Sequence, residues 1–195
     1  MDTVGNEPQK ENINMDKNEF KEKYNAASTV VSFPERIDIE MKSIDPNPIH
    51  IGNGTRNLII VMEEISELIE QLENAKTGEF DMLSLIEEVA DTEQSLDYVQ
   101  LICDITYDDI MQNAHICDEQ SLNKIVALTK LQQLLSKYLR GKSNKTQLIE
   151  AIVYVKTALK EIKFEYNIGQ GQINKAINVK LQRLQQYQND NKLYT

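Results

Sequence analysis

Long apolar runs are missing from this 195-residue chain. None approaches the roughly 18 residues that a membrane-spanning helix needs. The first residues also lack the apolar core of a signal peptide. A cytoplasmic protein with no membrane partner is therefore expected. Cysteine is scarce, and neither Cys103 nor Cys117 lies in a Cys-x-x-Cys or His/Cys cluster. A zinc site is thus not expected, and both thiols read as packing residues in a reducing compartment. Positive charge is short as well: 21 Lys and Arg stand against 31 Asp and Glu, a net charge of −10. Affinity for DNA or RNA is built by neutralising phosphates with Lys and Arg, so a nucleic-acid polymer is excluded as the main partner. Small nucleotides that carry their own Mg2+ are not excluded. There is no glycine-rich phosphate loop and no alternating strand pattern after Gly54, which argues against a sheet-based nucleotide fold. No nucleophile sits beside either histidine, His50 or His115, and no nucleophilic triad is expected.

What is present is enough apolar residue, 41% of the chain, to bury one sizeable core. Three regions follow from the pattern. Residues 1–27 are rich in Asn, Lys, Glu and Asp and read as a flexible tail. Residues 28–54 hold Pro34, Pro46 and Pro48 and the short apolar run Thr29-Val30-Val31; they read as an extended arm ending in the turn Gly52-Asn53-Gly54. Residues 55–195 read as all-α. Thr55 is the expected N-cap of a first helix in which Leu58, Ile59, Met62, Ile65, Ile69 and Leu72 recur at helical spacing. It should end near Lys76-Thr77-Gly78, where glycine suits a C-terminal cap. A second helix is expected from about Asp81 to Cys103, with Leu85, Val89, Leu96, Val99 and Ile102 turned to the core.

The second half of this region echoes the first. An offset of 63 residues aligns Gly78 with Gly141 and Leu85-Ile86-Glu87 with Leu148-Ile149-Glu150. The same offset pairs Leu68 with Leu131, Leu72 with Leu135, Leu96 with Leu159, Ile105 with Ile168 and Ile110 with Ile173. Two readings of this are open: a duplication, with repeat one at about 55–118 and a degenerate repeat two at about 119–188, or chance likeness between two amphipathic helix pairs.

The chemistry lies in the first half. Glu64 and Glu67 are three apart, as are Glu88 and Asp91, so each pair lies on one face of its helix. Two such pairs facing one another make a cluster of four carboxylates, which demands cations; oxygen-only ligation suits a hard divalent ion such as Mg2+. Under the 63-residue offset the matching positions are Ala127, Lys130, Ala151 and Tyr154, so the cluster occurs once. Basic residues run the other way, since Lys180 and Arg183 align with Cys117 and Gln120. A composite site is expected, with carboxylates from the first half and cations from the second.

The series Glu63-Glu64-Ile65-Ser66-Glu67, a 20-residue spacer, and Glu88-Val89-Ala90-Asp91 resembles the Glu-Glu-x-x-Glu and Glu-x-x-Asp pattern of the MazG-like, all-α nucleoside triphosphate pyrophosphatases. The flanking Asn57–Met62 and Leu85–Glu87 look like the phage-type members, and Ile173–Leu184 resembles the family's closing helix. A decayed second repeat is similar to the arrangement in the related dimeric dUTPases. The resemblance covers about Gly52 to Gln188. It implies a MazG-like helical bundle, Mg2+ as cofactor with Mn2+ as substitute, and hydrolysis of a (deoxy)nucleoside triphosphate to monophosphate and pyrophosphate. Glu64, Glu67, Glu88 and Asp91 would hold the metal, with Glu63 beside them, and Glu64 or Glu67 would accept a proton from the attacking water. Lys180, Arg183 and, less directly, Arg56 would meet the phosphates, and Tyr98 and His50 are candidates for stacking on the base. A homo-oligomer, with a dimer favoured, is also implied, and host cytoplasm if the protein is phage-encoded. A non-catalytic nucleotide-binding or sequestering protein is the alternative, and a purely structural or interaction protein a third possibility.

Overall fold

The computed structural model describes residues 17–30, 51–116 and 122–189, with backbone alone for 51–54, 56, 187 and 188. Seven α-helices account for most of these residues: α1 (Lys17–Ala26), α2 (Ile51–Thr77), α3 (Met82–Ile102), α4 (Tyr107–Asn113), α5 (Lys124–Tyr138), α6 (Lys145–Glu165) and α7 (Gln170–Asn189). A 3-10 turn, Ala114–Ile116, follows α4, and no strand occurs among the described residues.

The helix boundaries follow local chemistry. Asp81 caps α3, its carboxylate accepting from the Leu83 and Ser84 amides, and Asn144 caps α6 in a reciprocal box with Gln147. Glycine closes α2 and follows α5: Gly78 has φ +85° and Gly141 φ +65°, a left-handed conformation that a Cβ would strain. The start of α2 differs from expectation. The helix begins at Ile51, so residues 52–54 are helical rather than a turn and Thr55 lies inside the helix rather than at its cap. Glycine inside a helix costs only about 1 kcal/mol relative to alanine, and propagation onto a formed helix gains one hydrogen bond per residue. Two glycines therefore do not stop it.

The two halves share one backbone plan. Helices α3 and α6 start at 82 and 145 and end at 102 and 165, and α4 and α7 start at 107 and 170, an offset of 63 in every case. The positive-φ residues other than glycine, Asp104 (52°) and Asn167 (54°), are 63 apart too. So are the C-caps Cys103 and Tyr166, with φ, ψ of −94°, 8° and −96°, 8°.

One hydrophobic cluster runs through both halves, joining Leu58, Val61, Ile65 and Leu68 of α2 to Leu128, Leu131 and Leu135 of α5 and Ile152 and Leu159 of α6. Helix α3 packs against α2, α6 and α7 at once. Its burial on several sides leaves Ser84, Asp91, Thr92, Gln94 and Ser95 as the buried polar residues of the described chain, all on this one helix. Two expected core positions are corrected: Ile59 is 49% exposed, and the α2 stripe instead uses Val61 and Leu68, both fully buried.

The tail expected over 1–27 contains a helix. Phe20 is buried against the main core, Tyr24 stacks on it at a centroid distance of 6.0 Å, and Lys175 of α7 sits over the Tyr24 ring. Two aromatics four residues apart give α1 an apolar stripe that bulk composition conceals. Beyond it, Asn174 donates to the Thr29 carbonyl, and Asn178 donates to the Ser28 and Val30 carbonyls, which fixes 28–30 along α7. The remainder of the expected arm, 31–50 with its three prolines and His50, lies outside the described residues. No helix among the described residues is long and apolar enough to cross a membrane.

Candidate metal centre

The hairpin of α2 and α3 brings the acidic pairs together. Leu68 and Ile65 on α2, with Leu85 and Val89 on α3, are buried in its core, and this packing fixes the register of the carboxylates between them. One carboxylate oxygen from each of Glu64, Glu67 and Glu88 lies within 4.8 Å of the other two. All three residues are half-buried.

The fourth expected ligand is engaged differently. Asp91, buried, places Oδ2 2.6 Å from the Lys180 ammonium, and Glu64 Oε1 is 3.2 Å from the same nitrogen. The lysine is therefore no outer phosphate contact in this arrangement: α7 inserts it into the acidic cluster, where it serves Glu64 and Asp91 as counter-ion. An ammonium sheltered from water between two carboxylates is the arrangement that minimises the cost of burying unlike charges. Burial lowers the Lys180 pKa, but Asp91 and Glu64 outweigh it and hold the group above its ordinary value.

The carboxylates not matched by this lysine are strained electrostatically. Burial, with Asp91, Glu67, Glu87 and Glu64 adding repulsion, pushes Glu88 up to about 9. Burial likewise raises Glu64 to about 7, with Lys180 opposing and Asp91 and Glu67 reinforcing the shift. Glu67 is also raised, by burial and then by Glu63 and Asp91, while Lys180 and a hydrogen bond with Glu88 oppose. Shifts of this sign mean that the cluster lacks positive charge. Glu88 also has a buried oxygen, Oε2, with no hydrogen-bond partner among the described residues. An oxygen-only donor set with surplus negative charge and one unsatisfied buried oxygen fits a hard divalent cation.

Glu87 belongs to the cluster although the acidic motif did not single it out. Burial and Asp91 raise it to about 7, against the pull of Lys180 and Arg183. Its signal in the sequence is the i,i+4 spacing to Asp91. Arg183 is half-buried within electrostatic range of Glu87 and Lys180. Glu63 is exposed at the rim and acts on Glu67 through charge. The Arg56 side chain lies outside the described residues. Tyr98 packs half-buried against the main core, and His115 is exposed. Cys103 is buried, as a packing residue should be, and burial raises its thiol pKa; Cys117 lies outside the described residues.

Polar burial continues past the carboxylates. Thr92 stands four residues after Glu88 on the same stripe and Gln94 three after Asp91, and both are essentially inaccessible to solvent. Neither Thr92 Oγ1 nor the Gln94 amide has a partner among the described residues. No family model, curated protein or solved structure matches this chain.

Proposed function

We propose that this chain is a Mg2+-dependent nucleoside triphosphate pyrophosphohydrolase of the MazG-like, all-α type, with Mn2+ as an alternative cation. The observation that carries the reading is the convergence of Glu64, Glu67 and Glu88 within 4.8 Å at raised pKa. Carboxylates held that closely repel one another unless protons or cations intervene. Glu64, Glu67 and Glu88 would hold the ion, and Asp91 would join them if Lys180 moved aside. When bound, Mg2+ would neutralise triphosphate charge and acidify a water. Glu64 or Glu67 then accepts the proton as that water attacks phosphorus, giving monophosphate and pyrophosphate. Arg183 stands at the rim to meet phosphate oxygens. The shared 63-residue plan of helix bounds and left-handed residues supports the accompanying proposal of a duplicated bundle, in which the second half has lost its own carboxylates and supplies cations. A homodimer belongs to the same proposal and is checked by sedimentation.

The direct test is incubation with each dNTP and NTP plus Mg2+, reading pyrophosphate release. The expected result is release from at least one nucleotide, reduced at least a hundredfold in Glu64→Ala. Release undiminished in that variant, or none from any nucleotide, removes the catalytic reading. One observation favours a second reading, binding without turnover: Lys180 already satisfies Glu64 and Asp91 without metal. Tight binding of an intact nucleotide in chelator would decide for it.

A further inference from the structure

A groove of about 690 Å3 opens between α2 and α5, beside the carboxylate cluster. Ile59, Met62, Glu63 and Ser66 form one wall; Gln132, Gln133, Ser136, Lys137 and Arg140 form the other. Gln132 braces the two walls, its amide nitrogen donating to the Met62 carbonyl at 2.7 Å and to Ser66 Oγ at 2.6 Å. At one rim stands Glu63, whose charge reaches Glu67. Across the groove Lys137 lies in the last turn of α5, and Arg140 in the turn that follows.

Those two cations are exceptional in a chain of net charge −10. Both are exposed, and neither has a carboxylate partner among the described residues. Arg140 donates Nε to the Ser136 carbonyl at 2.9 Å, which anchors the guanidinium at the helix end and leaves its terminal nitrogens for a ligand. A fixed guanidinium beside an ammonium is the pairing that receives phosphate oxygens, the first bidentately and the second as a point charge. The chain's overall negative charge repels a long polyanion, so a small one is the fitting occupant. The positions 63 residues earlier are Asn74 and Thr77, so the first half carries no such pair.

We propose that this groove binds the polyphosphate part of a small ligand, with Lys137 and Arg140 as its phosphate-contacting side chains. That the ligand is the nucleotide held at the carboxylates rests on the proposed function; the binding of the anion does not.

The test uses the full chain and sodium tripolyphosphate, titrated calorimetrically in chelator at low ionic strength. Binding is expected in the wild type and at least tenfold weaker in Lys137→Ala/Arg140→Ala. It should be unchanged in Lys130→Ala/Lys156→Ala, which removes the same charge from exposed positions elsewhere. All four side chains are exposed, and circular dichroism confirms that each variant folds. No binding by the wild type, equal binding by the groove variant, or equal weakening in both variants overturns the proposal. If the groove variant loses tripolyphosphate while the wild type hydrolyses no nucleotide, the groove stands and the hydrolase reading falls. If Glu64-dependent hydrolysis is found with tripolyphosphate binding indifferent to Lys137 and Arg140, the groove proposal falls alone.

Discussion

Glu88 is the residue at which burial and repulsion act together most strongly. The unfolded chain gives up its glutamate protons near the ordinary pKa of 4.5, whereas Glu64 and Glu87 keep theirs to about 7 and Glu88 to about 9. Between those limits the native state binds more protons than the unfolded one, so metal-free stability falls as pH rises. Urea unfolding in chelator should show a lower midpoint at pH 8.5 than at pH 5.5, and saturating Mg2+ should remove most of the fall. A midpoint that rises with pH in chelator contradicts the burial of these groups. Lys180→Met removes the only counter-ion that both Glu64 and Asp91 contact among the described residues. Taking one member from a buried ion cluster costs about 3 kcal/mol. That loss is expected in chelator by chemical denaturation and should be partly recovered on adding Mg2+. Much of this chemistry was legible in the residue pattern, because i,i+3 spacing on a helix dictates a shared face. The place of Lys180 was not, since nothing in its own helix indicates which of the many acidic side chains it will meet.

At the scale of elements, helix ends decide where the hairpins turn. Gly78 and Gly141 hold left-handed backbone with open space around them, so an added Cβ meets strain without a clash. Gly78→Ala and Gly141→Ala should each destabilise by about 1 kcal/mol, the cost of left-handed backbone for an L-residue, as read by thermal unfolding. Asn144→Ala should cost a similar amount, about 1 kcal/mol, through loss of its cap on α6. A change below about 0.3 kcal/mol at all three positions would mean that the turns do not set these boundaries. The boundaries of α3 were readable to within one residue because Asp81 and Cys103 are caps defined by local chemistry. The beginning of α2 and the existence of α1 were not. The first depends on a helix overrunning its glycines, and the second on Phe20 finding a place in the core through contact with α7.

The whole molecule is bound by packing between its two hairpins, with one apolar cluster spanning both. Leu131→Ala lies at the junction, fully buried, and should cost about 3 kcal/mol. Because α2 and α5 bury apolar residues in the same cluster, calorimetry should show a single unfolding transition in which Leu131→Ala lowers the stability of both hairpins together. Two resolved transitions, only one of them shifted, would show that the halves fold separately.

The sequence by itself determined the all-helical class, the edges of α3, the 63-residue correspondence and the three converging glutamates. Each of these is encoded over short distances, by periodicity, caps and i,i+3 spacing, and local geometry suffices to express it. Only the tertiary structure decided that Lys180 neutralises Glu64 and Asp91, that Glu87 belongs to the acidic cluster, and that Lys137 and Arg140 face a groove across from Glu63. Those outcomes depend on how α7 and α5 lie against the first hairpin. Side chains more than 60 residues apart meet only because core packing brings their helices together, and no local pattern records which faces will do so.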